Sequence, residues 1–540
     1  QQWVESDAGK RARKFVDSVQ IGETNKCDAV MPNAVDVMAA VTETRSTFTR
    51  ADVVEAAAGL VPAGVDRALL LERVEELVDE IFTTGVAWSV TPERAREYNR
   101  AMREGSQRFT TEHVVREVDR GIDLATSEVG RGVDGSSIVP VEGVLSESQA
   151  SAMATVVESD YRASVVIAPA GAGKTSSLKA ARGAWEAAGR RVVGLAPTGK
   201  AADVMVAESV AHESSTIARV LQGTGELTAA ASAQHVGWDR DTVVVVDEAG
   251  MVGTEQLVRV LEIAAAADAR VVCVGDPHQY AAVRARSGLL GTLASELPDA
   301  VELTEVFRQQ DAVERRVSQW LREGDRQLVA QAASWYGSAG RLYAGSVTAM
   351  LDDALAGWCA DVDSGADSVL IAGDRDTVDA LNRAAQKHCV AAGLVQATGT
   401  TARLNTSERA QWGRVGDVVL TRRNDYDLVA SGGEPVRNGQ RWTIEDIHAD
   451  GSVLVRRRDD ETVTVTLPAE YVAEHVQLGY ASTGHSAQGM TVDVARVVAD
   501  ASKVDRAGVY VPMTRGRVSN VLYLAESSPG DVDTAHTRVT

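Results

Sequence analysis

Eight consecutive residues, Ala168-Pro169-Ala170-Gly171-Ala172-Gly173-Lys174-Thr175, join a glycine-rich stretch to a lysine and a hydroxyl. A triphosphate needs backbone N–H groups converging on its oxygens, and glycines let a loop wrap that closely. On this reading Lys174 reaches the β and γ phosphates of ATP, the Thr175 hydroxyl holds Mg2+, and Ser176 completes the cradle. Ala168 stands where the usual pattern has its first glycine, a harmless change unless the position needs a left-handed backbone. The bland alternative is a glycine-rich turn without a ligand. A strand before the loop and a helix after it argue for the phosphate loop.

Two further segments carry chemistry. Val243-Val244-Val245-Val246-Asp247-Glu248-Ala249-Gly250 delivers two carboxylates to the end of a buried strand, the edge at which parallel sheets bind ligands. Asp247 is expected to bind Mg2+, directly or through water, and Glu248 to orient and deprotonate the attacking water. Alone, such a pair is as readily a solvated turn; the phosphate loop upstream decides for function. Val274-Gly275-Asp276-Pro277-His278-Gln279 ends the next strand. Gln279 is placed to sense the γ-phosphate, with a purely structural Asp-Pro turn as its competitor.

These segments need a scaffold, and the surrounding pattern supplies one. Short β-branched runs at 163–168, 191–196, 242–247 and 270–275 each precede a helical stretch, which predicts a parallel sheet with helices on both faces. A second region of this kind begins near Ser368-Val369-Leu370-Ile371-Ala372, with a helix through Val378 to Ala385. It is interrupted over 395–475 by alternating strands at 415–420, 440–447, 452–457 and 462–467. Turns at Arg437-Asn438-Gly439 and Asp450-Gly451 separate them, so a small inserted β-barrel is expected. Before all this, residues 1–128 read as helical. Thr49-Arg50-Ala51-Asp52 is a capping signal, Ala68 to Phe82 has helical periodicity, and Phe109-Thr110-Thr111-Glu112 opens another helix. A Gly/Ser-rich stretch at 130–137 is expected to be a linker. The expected layout is a helical domain and linker over 1–140, a first lobe over 141–310, a second over 311–394 and 476–526, the barrel between, and a tail over 527–540.

The bulk properties leave this reading open and close others. With 540 residues, three or four domains are expected. No apolar run is long enough to span a bilayer, and the polar, acidic start does not resemble a secretory signal. The absence of an initiator Met suggests a piece of a longer chain. Cys27, Cys273, Cys359 and Cys389 are far apart, so neither a disulfide framework nor a zinc site is implied and a reducing cytoplasm fits. Against 55 Lys and Arg stand 76 Asp and Glu, a net charge of −21. This argues against a protein that coats nucleic acid through a basic surface, but a motor gripping one strand needs a positive channel only.

Further segments carry a resemblance. Leu195-Ala196-Pro197-Thr198-Gly199-Lys200-Ala201-Ala202, the Asp-Glu-Ala-Gly box and Gly-Asp-Pro-His-Gln resemble superfamily-one helicases of the RecD-like branch. Leu303-Thr304-Glu305-Val306-Phe307-Arg308-Gln309, Tyr480 to Thr491, and Tyr510-Val511-Pro512-Met513-Thr514-Arg515-Gly516-Arg517 resemble that family's motifs IV, V and VI. The wording Gln-Gly-Met-Thr and Met-Thr-Arg-Gly-Arg is most similar to the helicase half of MobF (TraI/TrwC-like) conjugative relaxases, over about 145–525. The resemblance implies two RecA-like lobes around ATP and Mg2+, with Gln149 reading the adenine edge. It implies Arg308 and Arg515 as arginine fingers from across the cleft, each often worth 10³-fold or more in rate. It implies single-stranded DNA gripped by Pro197, Thr198, Gly199, Thr216, Thr483 and His485 without sequence choice. Duplex junctions and other conjugation proteins are the implied partners, and the implied polarity is 5′-to-3′.

The motif V segment departs from the family pattern. Ser486 replaces a frequent cation after the histidine, which predicts a lost phosphate contact, and Gly484 replaces a frequent β-branched residue. The nine histidines never form a His-x-His pair, so no nicking site is expected. Arg456-Arg457-Arg458 followed by Asp459-Asp460-Glu461 reads as a solvated hairpin face rather than a DNA contact. Trp412, Trp442 and Tyr280 read as packing residues before stacking ones. Competing readings are a RecD-like repair helicase, an ATP-binding DNA scaffold that does not unwind, and a P-loop ATPase acting on proteins. Glu248 disfavours the scaffold, and the ordered motifs after Arg308 disfavour the last.

Overall fold

Capping chemistry sets the N-terminal helices. Helices Ala34–Thr44 and Arg50–Leu60 begin with reciprocal capping boxes at Asn33/Asp36 and Thr49/Asp52, each of which satisfies orphan N–H groups and contributes about 1 kcal/mol. With helix Arg67–Thr83 they enclose a cluster built from Val37, Phe48, Val53, Val78 and Ile81. A short antiparallel pair, β1 (Trp88–Ser89) and β2 (Phe109–Thr110), follows. The computed structural model describes residues 32–61, 67–90, 107–225, 227–282, 285–405, 410–526 and 537–538. The expectations for residues 1–31, Cys27 included, and for most of the tail lie outside the described residues.

Two expected boundaries shift. Helix Glu112–Ala125, capped by Thr111, does not stand with the N-terminal cluster. Its Val118, Ile122 and Ala125 pack into the first lobe's core. The stretch at 130–137 is not a free linker, because Val129 and Gly130 donate to the Asp160 carbonyl and Val133 to that of Val157. Backbone pairing with the last turn of the following helix and the residues just after it overrides the flexible composition.

The first lobe contains β3 (Ala163–Ile167), β4 (Arg191–Ala196), β5 (Glu213–Thr216), β6 (Thr242–Val246), β7 (Arg270–Gly275) and β8 (Val301–Glu302). They form one parallel sheet in the order β5-β4-β6-β7-β3-β8. β3, β6 and β7 are buried on both faces, the reason they read as continuous apolar runs. Alternate residues serve opposite layers. Val166, Val243 and Val245 face helices Glu147–Glu158 and Lys174–Ala187, packing with Met153 and Trp185. Val165, Val244 and Val271 pack with Leu257, Leu261 and Leu289 of the other layer.

The second lobe has the same architecture. β9 (Leu342–Ser346) and β10 (Ser368–Ala372) precede the insertion. The insertion comprises β11 (Ala402–Leu404), β12 (Gln411–Gly413), β13 (Val418–Thr421), β14 (Asp425–Val429), β15 (Pro435–Val436), β16 (Arg441–Ile447), β17 (Val453–Arg457), β18 (Thr464–Leu467) and β19 (Val476–Leu478). Its main sheet runs β18-β17-β16-β13-β19, all antiparallel, over a core containing Trp442 and Leu467. Because β19 pairs with β13, the inserted sheet closes beyond residue 475. The chain then returns through β20 (Ala481–Thr483), β21 (Val492–Asp500) and β22 (Gly516–Glu526). These complete the parallel order β20-β10-β21-β22-β9, with β23 (Thr537–Arg538) antiparallel at the edge. The chain is therefore α/β, with two parallel-sheet lobes, a small inserted β-domain and an N-terminal helical region.

Candidate nucleotide site and strand path

The phosphate loop leaves the C-terminal end of β3 and enters helix Lys174–Ala187, with Thr175 and Ser176 in that helix's first turn. Gly171 and Gly173 take left-handed φ values of 81° and 73°, while Ala168 is not among the residues with positive φ. The missing first glycine is therefore without cost. Gly171 is also needed for space, since a Cβ there would lie 2.5 Å from Arg308 Cβ. The N–H of Phe307 donates to the Gly171 carbonyl at 2.8 Å, so motif IV is laid directly along the loop.

Lys174 Nζ lies 2.5 Å from Asp247 Oδ1 and 3.0 Å from Glu248 Oε1. Burial opposes the ammonium charge, but the two carboxylates outweigh it and hold the Lys174 pKa well above its ordinary value. Burial pushes Asp247 up against the pull of Lys174; Glu248 is also penalised by burial, yet Lys174 and Arg515 bring it below its ordinary value. Glu248 adopts φ 50° and ψ 39°, a left-handed conformation that costs a non-glycine residue about 1 kcal/mol or more and concentrates at functional sites. A lysine, a hydroxyl and a carboxylate around a left-handed loop fit a Mg–nucleotide, because Mg2+ takes hard oxygen ligands and the lysine can exchange carboxylates for phosphate.

The second lobe faces this pocket with Gln488, Arg515 and Tyr510, and Arg308 of the first lobe reaches across to them. Gln488 donates to Glu248 Oε2 at 3.4 Å and to Gln279 Oε1 at 3.2 Å. Arg515 is 2% exposed and held by the Val511 carbonyl and the Thr514 hydroxyl. Burial, then the neighbouring Arg308 guanidinium, pushes its pKa down to about 9. Arg308 donates to the Thr514 carbonyl at 3.0 Å. Two guanidiniums crowded beside Glu248 make a site short of negative charge, which a triphosphate would relieve. Tyr510 ties the lobes further: its hydroxyl accepts from the Ala170 N–H at 3.1 Å and donates to Asp276 Oδ2 at 3.0 Å. Arg322 donates to both oxygens of Asp276 at 3.1 Å.

Gln149 differs from expectation. Its amide is already engaged, accepting from the Ser146 N–H at 2.9 Å and donating to the Ala172 carbonyl at 2.9 Å. It is 2% exposed and buttresses the phosphate loop rather than offering a free edge to a base. Gln488 and Tyr510 stand inside the motif V and motif VI segments with no role legible in the residues alone; their meaning lies in partners more than 200 residues away.

The residues expected to hold a strand lie at the C-terminal ends of β4, β5 and β20, on one rim of the two sheets. Pro197 and Gly199 flank Thr198 after β4. Thr198, Thr216 and Thr483 each cap the helix that follows, accepting from the N–H groups of Ala201, Arg219 and Ser486. His485 stacks on Tyr280 with ring centroids 3.9 Å apart. Gly484 explains itself here, because a Cβ would stand 1.9 Å from the Tyr280 hydroxyl oxygen. Tyr280 also packs against the cluster of Ala170, Tyr510 and Val511, so it is a packing residue at the seam of the lobes, as expected. Trp442 is fully buried, whereas Trp412 is 52% exposed, against the expectation of packing. The three arginines at 456–458 are all paired, with Glu445, Glu434 and Asp367 respectively. Among the described residues no group of three or more His, Cys, Asp or Glu side chains could hold a metal ion by itself, and no helix is long and apolar enough to cross a membrane.

Fold and site together place a phosphate loop, Lys174 and a carboxylate pair at the meeting of two parallel-sheet lobes, an arrangement that fits a Mg–nucleotide. Residues 144–347 match the AAA_30 model, an AAA domain, and residues 406–477 match the Rv2311 SH3-like barrel domain. The chain is similar to the probable conjugal transfer protein TraA of Sinorhizobium fredii, 32% identical over 389 residues, which is 71% of this chain and 33% of that protein. The conjugal transfer protein TraA of Agrobacterium fabrum is 31% identical over 392 residues, 71% of this chain and 32% of that protein. The chain thus spans about a third of the length of these curated relatives. Among solved structures, the Pif1 helicase from Candida albicans superposes with a TM-score of 0.46 at 18% identity, covering 70% of this chain and 94% of that one.

Proposed function

We propose that this chain is a motor that uses ATP to translocate 5′-to-3′ along single-stranded DNA and unwind duplex ahead of it, as part of a conjugative transfer machine. Gln488 is the observation that carries the proposal. It sits a few residues beyond Thr483 and His485 of the strand rim, yet touches both Glu248 and Gln279 of the nucleotide pocket. A change in the strand path and a change at the pocket therefore share one side chain, which is what coupling hydrolysis to movement requires.

In this reading the backbone from Pro169 to Ser176 cradles the phosphates and Lys174 neutralises them. Mg2+, held by Thr175 and Asp247, would supply charge stabilisation to the transferring group. Glu248 takes the proton of the attacking water, Gln279 registers the γ-phosphate, and Arg308 with Arg515 stabilises the transition-state charge. Pro197, Thr198, Gly199, Thr216, Thr483 and His485 line the sugar–phosphate path. Gln149 holds the loop in shape.

The test is steady-state ATPase with and without single-stranded DNA, beside unwinding of duplexes with a 5′ or a 3′ tail. DNA should stimulate hydrolysis, Lys174→Ala should abolish it, and only the 5′-tailed duplex should open. Equal rates with and without DNA would remove the motor, and preference for the 3′ tail would overturn the polarity.

A further inference from the structure

The motif V segment lacks the cation common after its histidine, yet the position is not without a charge. Arg422, which follows β13 in the inserted domain, donates to Ser486 Oγ at 2.9 Å. Ser486 Oγ lies 3.1 Å from Thr483 Oγ1, so the guanidinium reaches the hydroxyl pair that heads the strand rim of the second lobe. The backbone holds Arg422 there, its N–H donating to the His475 carbonyl at 2.7 Å.

Arg375 begins the helix that follows β10, and the end of β10 pairs Ala372 with Thr483, so a second guanidinium stands at the same rim. Among the described residues no carboxylate forms an ion pair with either arginine, although nearly every arginine of the neighbouring inserted sheet has one. Burial, then the nearby Arg375 charge, holds the Arg422 pKa below its ordinary value. The same segment crosses to the other lobe: the Asn424 amide lies 3.1 Å from where a Gly199 Cβ would be. Beyond it, Arg437 forms a bidentate ion pair with Asp203, and Tyr426 lies under the Arg219 and Arg437 guanidiniums. Residues 422–424 therefore bridge the strand-rim segments of both lobes.

A half-buried guanidinium without a counter-charge, beside a second one and two hydroxyls, is a site for an anion. We infer that Arg422, supported by Arg375, Thr483 and Ser486, binds a phosphodiester of the single strand and supplies from the inserted domain the cation that motif V lacks. The inference rests on the strand path proposed above. It makes the inserted domain a working part of the grip, so that strand hold depends on the seating of that domain against both lobes.

The test is fluorescence anisotropy of labelled oligo-dT with the whole chain over a range of salt. Each phosphate contact contributes about 0.7 to the slope of log affinity against log salt for a single strand. Arg422→Gln should weaken binding on the order of tenfold at low salt and lower the slope by about 0.7, and Arg422→Lys should restore most of both. Ser486→Asp leaves Arg422 in place but pairs it internally, and should give the same loss even if Arg422→Gln disturbs folding. Unchanged affinity and slope in both variants, or weaker binding with an unchanged slope, would overturn the inference while leaving the motor intact. Failure of the unsubstituted chain to bind oligo-dT would instead strike the functional reading itself.

Discussion

Gly484→Ala tests the lobe interface because local and tertiary physics predict opposite signs. Gly484 starts the short helix Gly484–Ala487 and is not among the glycines with positive φ. From the backbone alone, alanine should gain about 0.5–1 kcal/mol there. The tertiary contact reverses this. The new Cβ would stand 1.9 Å from the Tyr280 hydroxyl oxygen and 2.8 Å from its Cζ, so the ring must leave His485. Loss of the stack costs about 0.5–1.5 kcal/mol and overpacking typically about 1–3 kcal/mol. After the helix gain is subtracted, the substitution should destabilise the protein by about 0.5–4 kcal/mol. In a Tyr280→Ala background the obstacle is gone, and the same change should be neutral or stabilising. Urea-unfolding midpoints of the four proteins in this double-mutant cycle measure the coupling. Stabilisation by Gly484→Ala in the unsubstituted chain, or additivity within about 0.5 kcal/mol, would refute the reasoning.

Other outcomes follow from the pocket and the core. Arg308→Ala and Arg515→Ala should each lower kcat for ATP by about 10³-fold while nucleotide binding, read by a fluorescent analogue, is retained. Gln488→Ala removes a hydrogen bond between the strand rim and Glu248, and should shrink the DNA stimulation of hydrolysis by about tenfold, as one such bond to a charged group implies. Burial pushes the Cys273 thiol up to about 12 and the Cys389 thiol up to about 11. Since the thiolate is the reactive form, an alkylating reagent at pH 8 should leave both unmodified in the native protein and label both after denaturation, as peptide mass spectrometry would show.

Features that depend on neighbours along the chain were readable from the residues alone. The buried runs at β3, β4, β6 and β7 are long, apolar and flanked by helical patterns, so their strands and the parallel sheet were legible. The short, partly exposed β5 and β8 carried too little pattern to be seen. The capping box at Thr49 and Asp52 and the loop before Lys174 are equally local. The rest became visible only in the folded chain, because those features are contacts between distant residues. The stretch at 130–137 has a linker's composition, yet backbone hydrogen bonds to 157 and 160 fix it in place. Gln149 was placed by family likeness at a base edge, and only the fold shows its amide already held by Ser146 and Ala172. Ser486 looked like a lost contact. The cation beside it comes from Arg422, 64 residues earlier, and no spacing rule within a motif can show a partner delivered by another domain.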